Sequence, residues 1–191
     1  MHFTAFESGK DFFLVYGRDG DTVLDIGSMD VNGTLRPTAP PNATYIGCDL
    51  SGGPGVDVIL DDPYHLPWSQ ETFDLVVSTS CFEHTEFFWE VFVEMARVVK
   101  PSGFVYVSAP VQGDVHRYPV DCWRFYPDAG RALAKWSQRA GFDVELVESF
   151  QIPPDGDQWR DFVGVWQKKP FGTQVSRLVH RFPNAQHTCQ W

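Results

Sequence analysis

Residues 73–110 read FDLVVSTSCFEHTEFFWEVFVEMARVVKPSGFVYVSAP, and this stretch decides the fold. It begins with a β-rich apolar run at 73–79. A helical pattern follows at 86–99, where charged residues at spacings of four, four and three form a narrow polar stripe. Pro101 stops that helix, and a second β-rich run lies at 103–109. Strand, helix and strand in this order predict a parallel sheet with helical crossovers.

Further β-rich runs flank this unit on both sides. The early runs are nearly continuous apolar segments, which is typical of strands covered on both faces of a sheet. The two late runs mix polar and apolar positions, which predicts the edge of the sheet. We expect strands at 22–28, 44–50, 56–60, 73–79, 103–109, 142–150 and 161–167.

A second helix is predicted at 127–141, because Pro127 is a favoured first residue and Gly141 a favoured stop. The residues expected on its buried face are Ala129, Leu133, Trp136 and Ala140. Helices are scarce earlier in the chain, because the linkers at 29–43 and 51–55 are rich in proline and glycine. One face of the early sheet is therefore thinly covered, unless the aromatic N-terminus or the C-terminal tail packs over it.

The length of 191 residues fits one globular domain. We divide it into an N-terminal cap at 1–21, a core at 22–169 and a tail at 170–191. The tail is expected to form one short helix whose buried face carries Val175, Leu178 and Val179. Simple packing is expected for Trp159, Trp166 and Trp191.

The composition excludes several classes of protein. Fifteen Lys and Arg against 25 Asp and Glu give a formal charge of −10, which disfavours nucleic acid as a partner. No apolar run approaches the roughly 20 residues that span a bilayer, and the beginning MHFTAFESGK lacks a signal pattern, so we expect a cytoplasmic protein without a membrane segment. The four Cys residues are far apart, so neither a disulfide nor a metal is expected.

Three acids follow the early β-rich runs. Asp25, Asp49 and Asp62 are expected in register along the carboxyl edge of the sheet, where open α/β folds bind ligands. Each acid alone is more typical of a turn. The loop after Asp25 has no G-x-G-x-x-G pattern, and the acid at Asp30 would repel a pyrophosphate. A ligand without phosphates therefore fits this edge better.

The motifs VLDIGS, YIGCDL, DDPYHLPWSQETFDLVVSTSCFEH and EMARVVKPSGFVYVSAP occur in this order over residues 21–168. In these motifs the chain resembles the class I S-adenosylmethionine-dependent methyltransferases, particularly the small single-domain type 11-like kind. The resemblance implies a Rossmann-like sheet of seven strands with an antiparallel last strand, and S-adenosylmethionine as the cofactor. It places Asp25, Gly27 and Ser28 by the methionine end of the cofactor. The same resemblance assigns the ribose and adenine to Asp49, Leu50, Asp62 and Pro63.

The segment STSCFEH at 78–84 is the first candidate for catalysis. His84 suits a general base, although a histidine at a helix start more often makes a backbone contact. Ser80 and Glu83 fit a capping box, which would make Glu83 structural.

The connector GDVHRYPVDCWRFYPD at 113–128 is the second candidate, because a plain loop would carry fewer aromatic and charged residues. In one interpretation it forms the acceptor pocket, with His116 as base. The other pocket residues would be Arg117 or Arg124 as a clamp for an acidic group and Tyr118, Trp123 and Tyr126 as walls. In the other interpretation it is a lid, held by Asp121 paired to one of these arginines.

Two functions remain open from the sequence. One is an enzyme that moves a methyl group from S-adenosylmethionine to an oxygen or nitrogen of a small-molecule acceptor, sugar-like or acidic. The other is a non-catalytic module that binds the cofactor and serves as a regulatory or partner subunit. A nicotinamide-dependent reductase is disfavoured by the missing glycine pattern. A monomer and a homodimer are equally compatible with the sequence.

Overall fold

The computed structural model describes residues 2–156, 158–171 and 176–190. Its centre is one eight-stranded sheet with the order β3-β2-β1-β4-β5-β7-β6-β8. The strands are β1 (Thr22–Ile26), β2 (Thr44–Asp49), β3 (Val58–Ile59), β4 (Phe73–Thr79), β5 (Val99–Pro110), β6 (Val144–Ile152), β7 (Asp161–Lys168) and β8 (Gln186–Gln190). The helices are α1 (Phe3–Tyr16), α2 (Phe88–Val98) and α3 (Ala129–Arg139), with 3₁₀ turns at Arg36–Thr38, Phe82–His84 and Leu178–Arg181.

Strands β1 to β5 run parallel, and β7 lies antiparallel between β5 and β6. This confirms the Rossmann-like sheet whose last core strand is antiparallel. The sheet has eight strands rather than seven, because β8 in the tail pairs antiparallel with β6 and places Cys189 opposite Ser149.

The prediction that the two late core strands lie at the edge is wrong. β7 lies inside the sheet, and all of its residues are buried. Its polar residues have partners there. Asp161 accepts hydrogen bonds from His2 and Thr4, and Lys168 donates to the carbonyl of Val99 at 3.0 Å. The polar positions in this strand therefore mark specific bonds and not contact with solvent.

Helix α1 covers the face of the sheet that the early linkers leave bare. Phe12 is fully buried, and its ring centroid lies 4.7 Å from that of Tyr106 in β5. The tail shares this face, because Leu178 in the last 3₁₀ turn is also fully buried. The N-terminus and the tail, the two segments that the sequence offered to cover this face, are thus both packed on it. Val175 and Trp191 lie outside the described residues.

Helices α2 and α3 pack on the opposite face. The expected buried face of α3 is wrong in part, because Trp136 and Ala140 are exposed. The helix buries instead Gly130, Leu133, Ala134 and Ser137. The carbonyl of Gly130 accepts a 2.8 Å hydrogen bond from the indole of Trp166, which is fully buried. Small residues thus form much of the face that meets the sheet.

The polar stripe expected on α2 is partly internal. Glu94 is buried, pairs with Arg97 at 2.7 Å and accepts a hydrogen bond from the backbone N–H of Leu66 at 2.7 Å. This carboxylate therefore ties the segment before β4 to the helix. Within the described ranges, no helix combines the length and apolar character needed to cross a bilayer.

Candidate functional site

A cleft of about 840 Å³ lies at the carboxyl ends of β1, β2 and β4. Open α/β sheets bind their ligands at this edge, and the volume suits a ligand of cofactor size. The cleft is lined by the loop that follows β1, the end of β2, the 3₁₀ turn that follows β4 and the connector residues 116–119.

The three acids predicted along this edge are not in register. Asp25 pairs with Gly47, two positions before Asp49, and Asp62 lies three residues beyond the end of β3. Asp25 is buried in the floor of the cleft, and its carboxylate accepts a 2.7 Å hydrogen bond from the hydroxyl of Tyr45. Burial raises the pKa of Asp25 to about 6.

The loop after β1 is held tightly against its neighbours. Gly27 has a φ of +77°, and a Cβ at this position would lie 2.5 Å from Sγ of Cys81. The backbone N–H groups of Gly27 and Ser28 donate to the carbonyl of Cys48 at 2.9 and 3.1 Å. The hydroxyl of Ser28 donates to the carbonyl of Gly55 at 3.1 Å. Only glycine at position 27 therefore fits this loop without a shift of its neighbours.

Asp49 ends β2, and backbone N–H groups fix its carboxylate. One oxygen accepts a hydrogen bond from Leu50 at 2.7 Å, and the other accepts one from Met29 at 3.2 Å. Leu50 and Pro63 line the same part of the cleft. Asp62 lies outside the lining, and its carboxylate accepts a 2.8 Å hydrogen bond from the backbone N–H of Tyr64.

Glu83 is the residue of the site that the sequence did not single out for chemistry. Its side chain is 1% exposed and lines the cleft. One carboxyl oxygen lies 3.7 Å from Nε2 of His84 and 3.9 Å from Nε2 of His116. The other oxygen has no hydrogen-bond partner among the described residues. Burial raises the pKa of Glu83 to about 8.

The capping box predicted from Ser80 and Glu83 is wrong. The 3₁₀ turn begins after Cys81 and has no side-chain cap, and Ser80 has a φ of +50°. The sequence gives no signal for Glu83 beyond its place directly before His84, four residues after β4.

Backbone carbonyls orient both histidines. Nδ1 of His84 lies 2.6 Å from the carbonyl oxygen of Val120, and Nδ1 of His116 lies 3.1 Å from that of Asp114. A carbonyl oxygen can only accept, so Nδ1 carries the hydrogen in each ring and Nε2 keeps its lone pair. Burial lowers the pKa of His84, which favours its neutral form. The backbone contact expected for His84 is therefore present, and the ring still lines the cleft.

The connector contains the pair of Asp121 and Arg124 that the lid interpretation expects, and its residues 116–119 form a wall of the cleft. The guanidinium of Arg124 donates to both carboxyl oxygens of Asp121, at 2.6 and 2.8 Å, which holds the pKa of Asp121 well below its usual range. Three predicted pocket residues lie outside the cleft lining: Trp123, Arg124 and Tyr126. Arg117 and Tyr118 are exposed at the cleft and line it together with His116.

The position of Trp123 has a clear physical reason. The indole of Trp123 donates to the carbonyls of Thr85 and Glu86 at 3.0 and 3.2 Å, so this ring packs beside α2. Trp159, expected to serve only for packing, lines the cleft instead. Its ring contacts that of His116, with centroids 4.7 Å apart.

Residues 24–107 match the family model described as "Methyltransferase domain". The chain is 26% identical over 173 residues to the phthiotriol/phenolphthiotriol dimycocerosates methyltransferase 1 of Mycobacterium ulcerans. That alignment covers 76% of this chain and 58% of that protein. It is 28% identical over 130 residues to the demethylmenaquinone methyltransferase of Corynebacterium glutamicum. That alignment covers 61% of this chain and 55% of that protein. The chain thus spans a little over half the length of these curated relatives.

Among solved structures, the fold is similar to that of the 1,6-didemethyltoxoflavin-N1-methyltransferase of Burkholderia thailandensis. The two superpose with a TM-score of 0.65 at 15% sequence identity, over 86% of this chain and 78% of that one. That crystal structure contains 1,6-didemethyltoxoflavin and S-adenosylhomocysteine. At this identity the likeness shows a shared fold.

Proposed function

We propose that the chain is a class I S-adenosylmethionine-dependent methyltransferase, which transfers a methyl group from S-adenosylmethionine to an oxygen or nitrogen atom of a small-molecule acceptor. One observation carries the proposal: a single cleft joins a cradle suited to the cofactor with a corner of polar side chains. The cofactor supplies an activated methyl group. The protein must therefore position the acceptor and exclude water.

The residues at one end of the cleft fit the cofactor. The carboxylate of Asp49, fixed by two backbone N–H groups, suits the two hydroxyls of a ribose. Leu50 and Pro63 offer an apolar surface to an adenine. The glycine-dependent loop at Gly27 brings backbone close to the ligand, and the acid of Asp25 beneath it suits the positive groups of the methionine part.

The other end of the cleft suits the acceptor. His84 and His116 present Nε2 lone pairs, which can orient a hydroxyl or amine and take its proton. Arg117 and Tyr118 lie at the same end and offer a cation and a hydroxyl, which favours an acidic or sugar-like acceptor. Relatives named for demethylmenaquinone and 1,6-didemethyltoxoflavin support a small organic molecule.

The cofactor half of the proposal is tested by calorimetric titration with S-adenosylhomocysteine. We expect one site, weakened at least about tenfold by Asp49→Ala because a charged hydrogen-bonding partner is lost. The matched control is Asp61→Ala, an exposed acid outside the cleft lining, which should leave the affinity unchanged. Equal affinity of the Asp49→Ala protein would refute the ribose assignment.

The catalytic half is tested by methyl transfer from labelled S-adenosylmethionine to a panel of acids, phenols, sugars and amines. A labelled methylated product that forms together with S-adenosylhomocysteine, and that is reduced when His116 is replaced by alanine, supports the enzyme hypothesis. Tight cofactor binding with no transfer to any acceptor class favours the non-catalytic module instead.

A further inference from the structure

Three side chains at the acceptor end have the composition of a metal site. We propose that Glu83, His84 and His116 bind one divalent transition-metal cation, which holds the acceptor in the cleft. This deepens the proposed function and rests on it for the role of the cation, although not for its binding. With the cation bound, both Nε2 lone pairs are its ligands, so the two histidines hold the acceptor through the cation and do not take its proton.

The spacing of the three groups supports the proposal. One carboxyl oxygen and two imidazole nitrogens lie within 4.8 Å of one another. A cation held at roughly 2.0–2.2 Å by each atom would draw them closer together. His116 has 38% of its side chain exposed, so it is the most accessible of the three groups. Glu83 and His84 are held more firmly than His116, because both lie within the 3₁₀ turn Phe82–His84.

The hydrogen bonds behind the histidines are those expected of metal ligands. Nδ1 of each ring is bound to a backbone carbonyl, that of Val120 or Asp114. Ligand histidines in proteins almost always donate their second ring N–H in this way, which fixes the ring and directs the free nitrogen. Here both free Nε2 atoms face the same carboxyl oxygen of Glu83.

The corner also contains an unsatisfied polar atom. The second oxygen of Glu83 is buried and has no partner among the described side chains and backbone groups, a costly state for a buried polar group. The guanidinium of Arg124 is held by both oxygens of Asp121, so it does not satisfy this oxygen.

The donor set indicates the class of cation. Two imidazoles and one carboxylate suit Zn²⁺, Mn²⁺, Fe²⁺ or Co²⁺, whereas Mg²⁺ and Ca²⁺ prefer oxygen ligands alone. Three protein ligands leave coordination positions open toward the cleft. An oxygen or nitrogen of the acceptor would occupy one of them and be placed beside the cofactor cradle.

Binding is tested by titrating the untagged protein with CoCl₂, followed by visible absorption, and with ZnCl₂, followed by calorimetry. We expect one site per chain that MgCl₂ does not occupy. Glu83→Gln, His84→Ala and His116→Ala should each weaken Co²⁺ binding by more than about tenfold, since even lost supporting groups cost that much. The matched control is His180→Ala, an exposed histidine outside the cleft lining, which should bind Co²⁺ as the wild type does.

Equal Co²⁺ binding by a His84→Ala/His116→Ala protein, or none by the folded wild type, overturns the proposal. Circular dichroism checks the fold of each variant, and His116→Ala, in the exposed connector, decides the matter should the buried variants unfold. Titration with S-adenosylhomocysteine in EDTA separates the two proposals. Cofactor binding without Co²⁺ binding refutes the cation alone, and Co²⁺ binding without cofactor binding refutes the methyltransferase function alone.

Discussion

Replacing Gly27 with alanine tests how rigid the cofactor cradle is. Two costs add. The left-handed backbone at φ +77° costs a side chain about 1–2 kcal/mol, and a Cβ placed 2.5 Å from Sγ of Cys81 forces a shift that typically costs about 1–3 kcal/mol. We therefore expect Gly27→Ala to lower the free energy of unfolding by about 2–5 kcal/mol, measured by urea denaturation.

The chain offers a matched control for the first of these costs. Gly20 has nearly the same φ, +80°, but a Cβ there would meet nothing within 4 Å. Gly20→Ala should therefore cost only the backbone part, about 1–2 kcal/mol. Adding Cys81→Gly to Gly27→Ala removes the two atoms that lie 2.5 and 2.6 Å from the new Cβ and should recover part of the difference. If Gly27→Ala costs no more than Gly20→Ala, the loop is soft and the cradle is not preformed.

Two further predictions concern buried acids. Because burial raises the pKa of Asp25 to about 6, the folded protein binds more protons than the unfolded one between pH of about 4 and 6. Stability should thus fall as the pH rises through that window, by up to roughly 3 kcal/mol relative to Asp25→Asn; parallel urea curves for the two proteins would contradict this. Glu148 is fully buried and accepts hydrogen bonds from the N–H groups of Leu178 and Val179. Glu148→Ala should cost about 3 kcal/mol or more and speed hydrogen exchange at both amides, whereas the half-exposed Glu145→Ala should cost less than about 1 kcal/mol.

The parallel core could be predicted from the sequence because its strands are apolar on both faces. The runs at 22–28 and 73–79 each bury five of their seven residues, so their apolar composition marks them. Helix α1 was expected only as an aromatic cap. Its buried stripe includes Thr4, Ser8 and Gly9, and such small or polar residues carry no hydrophobic periodicity.

The same limitation explains the error on α3. Its buried face includes Gly130 and Ser137, which are not hydrophobic. The prediction instead placed the large hydrophobic Trp136 on the buried face, where the structure shows it exposed. At the cleft, the positions of Asp49 and of the loop after β1 could be predicted from the order of the motifs, whereas their role toward a cofactor stays a prediction. Glu83 did not, because a carboxyl becomes unusual only through burial and through a histidine 33 residues later in the chain, and both depend on the tertiary structure.

The position of α1 has a consequence for synthesis of the protein. The partners of the first helix are made late: Thr4 bonds to Asp161, Ser8 bonds to Tyr106, and Tyr16 bonds to Glu148. At about 5–20 residues per second, the ribosome adds Asp161 roughly 8–30 s after Thr4. During that interval the helix gains its partners one after another, first Tyr45, then Tyr106 and last Asp161. Its packing is therefore complete only when most of the domain has been translated.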